Sequence, residues 1–158
     1  MSSSDPAIAV RQLTDAQAAI GLAASYVSLH PPFDAYRAGR LIGTIAGQVE
    51  RRQYAFAVKC GQVVGYCGWA LCHREIAEAW LAGGEPPTSD ECLKGDVVVL
   101  TILAAAESAA VIRLTRHLRQ AYAGRTFMAH RLRGGRNGII RGSIGARHRR
   151  SRATGPTE

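Results

Sequence analysis

Lysine is scarce in this chain, and acidic residues are scarce after Glu107. Lysine supplies two of the 20 basic residues, at Lys59 and Lys94, so arginine carries nearly all of the positive charge. After Glu107, twelve arginines stand against one acidic residue, Glu158, and the formal net charge is +8. Because forked guanidinium donors suit phosphate and carboxylate groups, this distribution predicts an anionic partner. A nucleic acid, an acidic protein and a phosphopantetheine-carrying protein all meet that description.

Long apolar runs are also missing. The most apolar stretch, residues 96–112, is interrupted by Glu107, and a membrane span would need ~20 apolar residues. The N-terminus has no basic segment followed by an apolar one, so we expect no secretion signal and a cytoplasmic location. The length of 158 residues, 47% of them hydrophobic, is enough for one domain with its own core. We expect a flexible N-terminus at 1–13, the domain at 14–145 and a basic flexible tail at 146–158.

Cysteine is sparse, with four residues at Cys60, Cys67, Cys72 and Cys92. Without a secretion signal, this number and spacing predict free thiols and not a disulfide framework. Cys67, Cys72 and His73 have C-x4-C-H spacing, but a zinc site of this kind normally has a second pair of ligands. We therefore expect thiols that pack as small apolar groups, with no bound metal.

The spacing of the apolar residues predicts alternating helices and strands. Helices are expected over 16–29, 35–52, 72–83 and 107–124, and strands over 53–59, 63–71, 96–103 and 125–132. The strand over 96–103 is β-branched and almost wholly apolar, which predicts burial on both faces. The helix over 107–124 has an expected apolar stripe of Ala110, Ile112, Leu114 and Leu118. This order predicts a single α/β domain with a mixed, mostly antiparallel sheet, like that of the GNAT-type acyltransferases.

Three motifs give the chain a resemblance to a known family over roughly residues 20–145. The expected hairpin contains Gln53-Tyr54-Ala55 and, after its turn, Tyr66-Cys67-Gly68-Trp69-Ala70. Ser28-Leu29-His30 precedes a proline-containing segment, and Lys94-Gly95-Asp96 precedes the apolar strand. In these residues the chain resembles a divergent member of the toxin-activating lysine acyltransferases, which acylate RTX protoxins.

The resemblance implies a reaction and the residues that perform it. A fatty acyl group would pass from acyl carrier protein to an internal lysine of an RTX-type protoxin or a similar secreted protein. His30 stands at the family's essential histidine, which implies a general base or an acyl-accepting residue. Thr101 stands where the family has an aspartate in the central strand, so we expect it to face and hydrogen-bond His30, with reduced activity. Asp96 and Glu107 are the acids that would replace the missing carboxylate.

Four further residues are candidates for binding the acyl donor or its carrier. Arg113, Arg116 and Arg119 recur every three residues on one helix, so we expect a basic stripe that docks acidic acyl carrier protein. The ordinary alternative for such a stripe is a solvated face. Trp69 is a candidate for lining an acyl channel, although single aromatics in apolar strands more often belong to the core. We expect no cofactor beyond acyl carrier protein as co-substrate, and a homodimer is compatible with this assignment.

Two other functions explain part of the sequence. A small basic nucleic-acid-binding or adaptor protein would account for the C-terminal arginines. An acyl-CoA-dependent N-acetyltransferase would account for the order of elements, but residues 103–113, LAAAESAAVIR, lack the glycines of a diphosphate-binding loop. The His30 junction and the hairpin motif favour protein-lysine acylation over both.

Overall fold

A computed structural model of the protein describes residues 7–133 and 136–145, with side chains over 7–130 and 138–145. The predicted tail at 146–158 and the first six residues lie outside these ranges. The helices of the described part are α1 (Ala16–Val27), α2 (Ala38–Glu50), α3 (Arg74–Leu81) and α4 (Ser108–Ala121). The strands are β1 (Ala9–Arg11), β2 (Tyr54–Lys59), β3 (Gln62–Cys72), β4 (Val97–Ala105), β5 (Thr126–Arg133) and β6 (Arg136–Ser143). None of these helices is long and apolar enough to cross a membrane.

The strands form one sheet in which spatial order follows chain order from β1 to β6. All neighbours are antiparallel except β4 and β5, which are parallel and connected through α4. Helices α1 and α2 pack on one face over β2, β3 and β4, while α4 packs on the other face. The predicted α/β class is therefore confirmed, and the arrangement is that of a single GNAT-like domain.

Strand β4 is the centre of the core. Val97, Val98 and Val99 are each fully buried, as expected for a strand covered on both faces. Val97 and Val99 pack with the cluster around α3, whereas Val98 packs with the cluster around α4. The predicted hairpin is also present, because β2 and β3 pair antiparallel around a turn at Cys60 and Gly61, both with positive φ.

The sheet opens along β4. Gly68 pairs with Ile102 and Trp69 pairs with Leu100, so Thr101 is an extra residue in a β-bulge. Bulges bend a strand and increase its twist. Strands β4 and β5 are paired only over Val97–Leu100 and Thr126–Ala129, although both continue further. The two strands thus separate at Thr101, which leaves a notch between them.

Two strands and one helix face differ from the sequence-based expectation. β1 lies in the stretch expected to be a flexible N-terminus and pairs with β2, while β6 lies in the glycine- and arginine-rich stretch and pairs with β5. On α4, Ala110, Leu114 and Leu118 are buried, as the four-residue spacing requires, but Ile112 is 55% exposed. Ile112 was wrongly assigned to the buried stripe, because two residues at ~100° each place it on the far side from Ala110.

Candidate active site

His30 lies at the junction between α1 and the loop that leads to α2. The helix ends at Val27, and the backbone amide of His30 still donates to the Val27 carbonyl at 3.0 Å. The half-buried imidazole stacks on the ring of Tyr26 at 4.4 Å, and its Nδ1 lies 2.8 Å from the Tyr26 carbonyl oxygen. Because a carbonyl only accepts, Nδ1 carries the hydrogen, and the neutral ring keeps a lone pair on Nε2. In the neutral form of His30, Nε2 is therefore the nitrogen that can accept a proton.

The hydroxyl of Tyr26 is buried and has no hydrogen-bond partner among the described residues. Burial is the largest influence on the pKa of Tyr26 and raises it. The backbone amide of Ala106, which lies beside the phenol oxygen and can only donate, lowers the pKa, and the Glu107 carboxylate raises it. The phenol thus stays protonated and remains a hydrogen-bond donor. A buried donor without an acceptor is uncommon in folded proteins and calls for an explanation. An oxygen or sulfur atom of a ligand would supply the missing acceptor.

Glu107 occupies the N-cap position of α4, although its side chain makes no capping hydrogen bond. Its Oε2 lies 3.4 Å from Nζ of Lys59 in a partly buried ion pair. Helix N-termini that grip a diphosphate usually offer free backbone amides and glycines. Here the position carries a carboxylate that is paired with Lys59, and residues 103–113 contain no glycine, so the start of α4 lacks the features of a diphosphate-binding loop.

Thr101 is the centre of a different hydrogen-bonded network. Its Oγ1 donates to the Gly68 carbonyl at 2.9 Å and accepts from Nε2 of Gln48 at 2.6 Å. Oε1 of Gln48 in turn accepts from the Tyr66 hydroxyl at 2.8 Å. A Cβ atom at Gly68 would collide with the Gln48 side chain, so the network requires glycine there. Through these hydrogen bonds, Thr101 connects α2 to the bulge of β4.

The expectation that Thr101 hydrogen-bonds His30 is wrong. Both bonds of Thr101 go to Gln48 and Gly68, and Nδ1 of His30 bonds to Tyr26. The hydroxyl of Tyr26 is near Ala106, which is five residues beyond Thr101. At about 3.3 Å per strand residue, the two places are roughly 15 Å apart along the strand.

The acids proposed to replace the aspartate occupy opposite ends of the strand. Asp96 precedes β4 and lies on the far side of Thr101 from the Tyr26 hydroxyl. Glu107 follows β4 and raises the pKa of Tyr26. Glu107 is therefore the acid on the same side as His30.

A groove of about 320 Å³ runs between α2 and the loop that follows α3, with Thr101 and Gln48 among its lining residues. Its helical wall includes three glycines spaced by four residues: Gly39, Gly43 and Gly47. Arg40, Thr44 and Arg51 also line it. Its opposite wall is mostly apolar and includes Trp80, Pro86, Pro87 and Cys92. Glycine in a helix costs about 1 kcal/mol relative to alanine. The three glycines thus weaken α2 itself. At Gly39 and Gly43, where a Cβ atom would meet nothing within 4 Å, they leave open space in the groove.

The three arginines predicted to bind a partner are all exposed on α4, but the structure separates them into two groups. Arg116 and Arg119 line a cleft of about 630 Å³ together with Ile112 and the end of the sheet at Gly145, whereas Arg113 does not line it. Ile112, Arg116 and Arg119 follow one another at helical spacing. This face therefore combines two cations with one exposed apolar side chain.

Trp69 belongs to the core. It is 2% exposed, and its indole Nε1 donates to the hydroxyl of Tyr122 at 2.9 Å. It packs in the cluster beneath α4. Trp69 is nevertheless among the residues that line the groove along α2, and its predicted role in binding a donor stays a prediction.

The described residues contain no group of three side chains arranged to bind a metal ion. Cys67 and Cys72, which suggested one, pack in different core clusters, Cys67 with α4 and Cys72 with α3.

Tyr26 and Gln48 are the site residues that the sequence did not reveal. Tyr26 lies four residues before His30, which is the spacing of neighbours on one helix face. That spacing is a usable signal for Tyr26. Gln48 carries no comparable signal, because its partners lie on β3 and β4 and are distant in sequence.

No protein-family model matches the chain, and no curated protein matches it. The resemblance to the toxin-activating acyltransferases therefore depends on the motifs around His30 and in the β2–β3 hairpin.

Proposed function

We propose that this protein is a cytoplasmic protein-lysine acyltransferase that uses acyl carrier protein as donor and an RTX-type protoxin or similar secreted protein as acceptor. The observation that carries the proposal is the pairing of His30 with Tyr26. Because Nδ1 of His30 bonds to the Tyr26 carbonyl, the neutral imidazole has its lone pair on Nε2, and Tyr26 has a buried hydroxyl without an acceptor. Formation of an amide from a thioester needs a base and an oxyanion donor in one place.

In the proposed reaction, Nε2 of His30 takes a proton from the lysine amine as its nitrogen attacks the thioester carbonyl carbon. The Tyr26 hydroxyl donates a hydrogen bond to the carbonyl oxygen as it becomes an oxyanion. The tetrahedral intermediate then collapses and its C–S bond breaks. The leaving thiolate receives the proton from the imidazolium, so that the products are an amide and the carrier's free thiol.

The groove along α2 provides a place for the far end of a long acyl chain, because its wall at Thr101 lies roughly 15 Å along β4 from the Tyr26 hydroxyl. Its glycines, Trp80 and the two prolines offer apolar surface, while Arg40 and Arg51 also line it, and the notch between β4 and β5 opens at Thr101 beside it. Burial of apolar surface stabilises by about 25 cal/mol per Å², so a fatty chain would gain substantial affinity there. A short acetyl group would gain little.

The electrostatics favour a carrier protein over CoA. The start of α4 lacks the glycines of a diphosphate-binding loop and carries Glu107, which is paired with Lys59. The cleft with Arg116, Arg119 and Ile112 suits an acidic helix that also presents an apolar side chain. Complementary charges of this kind raise association rates and make binding sensitive to salt.

The test compares donors. The protein is incubated with an RTX-type protoxin and either a fatty acyl carrier protein or the matching acyl-CoA, and acylated lysines are mapped by peptide mass spectrometry. We expect lysine acylation from the carrier-bound donor and little from acyl-CoA. Efficient transfer from acetyl-CoA would instead establish an N-acetyltransferase. Absence of transfer combined with steeply salt-dependent binding to duplex DNA would establish the nucleic-acid-binding alternative.

A further inference from the structure

The loop that follows α1 exposes two large apolar side chains on either side of His30 in the chain. Leu29 is 78% exposed, more than any other large apolar side chain of the described residues, and Tyr36 is 42% exposed. Leu29 directly precedes His30, and Tyr36 follows it by six residues. Single exposed apolar side chains are ordinary at a protein surface, whereas grouped ones indicate contact with a partner.

Close contacts connect this loop to the first turn of α2. The His30 carbonyl accepts hydrogen bonds from the backbone amides of Phe33 at 2.9 Å and Asp34 at 3.3 Å, so the chain turns back directly after the histidine. The buried Phe33 ring meets the Tyr36 ring edge-on, with centroids 5.5 Å apart. The Arg40 guanidinium in turn lies over the Tyr36 ring at 5.8 Å. His30, Tyr36 and Arg40 therefore belong to one continuous part of the structure.

Two arginines in this part lie where the fold itself disfavours them. Arg37 is the N-cap residue of α2 and makes no capping hydrogen bond, and Arg40 lies in the first turn, which contains no acidic residue. Cations are unfavourable there, because the N-terminus of a helix has a partial positive charge. Both side chains are exposed, and neither forms an ion pair with a carboxylate of the described residues. They are therefore available to acidic groups of another molecule.

This surface and the cleft on α4 lie on opposite faces of the sheet. Helices α1 and α2 cover one face, and α4 with Arg116 and Arg119 covers the other. In the proposed reaction the lysine attacks the carrier-bound thioester directly, so donor and acceptor are bound at the same time. With carrier protein in the cleft on α4, the acceptor reaches His30 from the face of α1 and α2.

We propose that Leu29, Tyr36, Arg37 and Arg40 form the docking surface for the acceptor protein. The segment that fits this surface has an apolar side chain and acidic residues near the target lysine. The apolar side chain packs on Leu29 and Tyr36, and the acidic residues pair with the two arginines, which outnumber the single acid of the segment, Asp34. The inference rests on the proposed function, from which it takes the acceptor.

The experiment measures acceptor binding and acyl transfer separately. Binding of an RTX-type protoxin to the immobilised protein is measured without a donor, and transfer from fatty acyl carrier protein gives kcat and KM. We expect Leu29→Asn to weaken protoxin binding by about tenfold and Arg37→Glu by about fivefold. The KM for protoxin should rise to match, while kcat and the KM for the carrier stay unchanged. Because a carboxylate suits a helix N-terminus, Arg37→Glu should keep α2 folded.

Ile140→Asn and Arg52→Glu are the matched controls. Ile140 lies on β6 and is exposed to the same degree as Tyr36. Arg52 is exposed just beyond the C-terminal end of α2, whereas Arg37 lies just before its N-terminal end. Both control variants should bind the protoxin and transfer the acyl group like the parent protein.

The outcomes separate this inference from the proposed function. Parental protoxin binding by Leu29→Asn and Arg37→Glu, or equal losses in the two controls, would overturn the docking surface even if the parent transfers acyl groups. Binding that depends on both residues without any transfer would support the surface and contradict the proposed function. A third arm sediments the protein with vesicles of phosphatidylglycerol and phosphatidylcholine. Vesicle binding that Leu29→Asn abolishes, with no protoxin binding, would assign the surface to a membrane and overturn the proposal.

Discussion

The hydroxyl of Tyr26 should lower stability and support catalysis at the same time. Tyr26→Phe removes one buried oxygen that has no partner among the described residues, and it keeps the ring on which His30 stacks. A buried polar group without a partner costs roughly 1–3 kcal/mol. At the lower end of this range, the variant should unfold with a free energy about 1 kcal/mol higher and a Tm about 2–4 °C higher.

Tyr54→Phe is the matched control, because it is the same chemical change at a hydroxyl that is satisfied. The Tyr54 hydroxyl donates to the Leu13 carbonyl and accepts from the Leu13 amide, each at 3.0 Å. Its removal leaves both backbone groups without that partner and should cost about 1–2 kcal/mol. The two substitutions therefore shift Tm in opposite directions.

The assay combines thermal unfolding with the rate of transfer from acyl carrier protein. Loss of one oxyanion donor typically lowers a rate by about 100-fold or more, so Tyr26→Phe should be more stable and much slower. If Tyr26→Phe destabilised the fold as much as Tyr54→Phe, its hydroxyl would be hydrogen-bonded in the folded protein. An unchanged rate would remove Tyr26 from the chemistry.

Three further variants test the remaining parts of the site. Gly43→Leu should stabilise α2 by about 0.5–1 kcal/mol yet slow the transfer of long acyl chains. Gly21→Leu in α1, where a Cβ atom has equally open space, should stabilise its helix without slowing transfer. Equal transfer rates for both variants would mean that the groove does not bind the acyl chain. Arg116→Glu should weaken the binding of acyl carrier protein by about fivefold, measured by titration. Arg113→Glu makes the same change of charge outside the cleft and should weaken binding less. Equal losses of affinity would mean a non-specific charge effect. Thr101→Val should cost about 1–2 kcal/mol in denaturant unfolding, because it breaks the bonds to Gln48 and Gly68; a lost rate at unchanged stability would restore a catalytic role.

The sequence was most informative where hydrophobic spacing decides the structure. The hairpin of β2 and β3 and the buried strand β4 were predictable, because β-branched and alternating apolar residues have few alternatives in a core. The edge strands were not. β1 has three residues, and β6 is rich in glycine and arginine, so each owes its extended form to pairing with a neighbouring strand.

The site was predictable only in part, for a related reason. The prolines after His30 mark the end of α1, and this places the histidine at a junction. The hydrogen-bond partner of Thr101 was not predictable from the sequence. It depends on which part of β4 is covered by α1 and which part by α2, the two helices that pack on the same face of the sheet. Gln48 reaches the bulge, whereas Tyr26 reaches the end of the strand.

The most direct test of the proposed function is the effect of His30→Ala on lysine acylation. Purified protein, fatty acyl carrier protein and an RTX-type protoxin are combined, and the acylated lysine is quantified by mass spectrometry, with His73→Ala at an exposed position as the control. The account predicts that His30→Ala stays folded by circular dichroism and loses transfer, while His73→Ala retains the parent rate. Transfer by His30→Ala at the parent rate would contradict the assignment of His30 as the base.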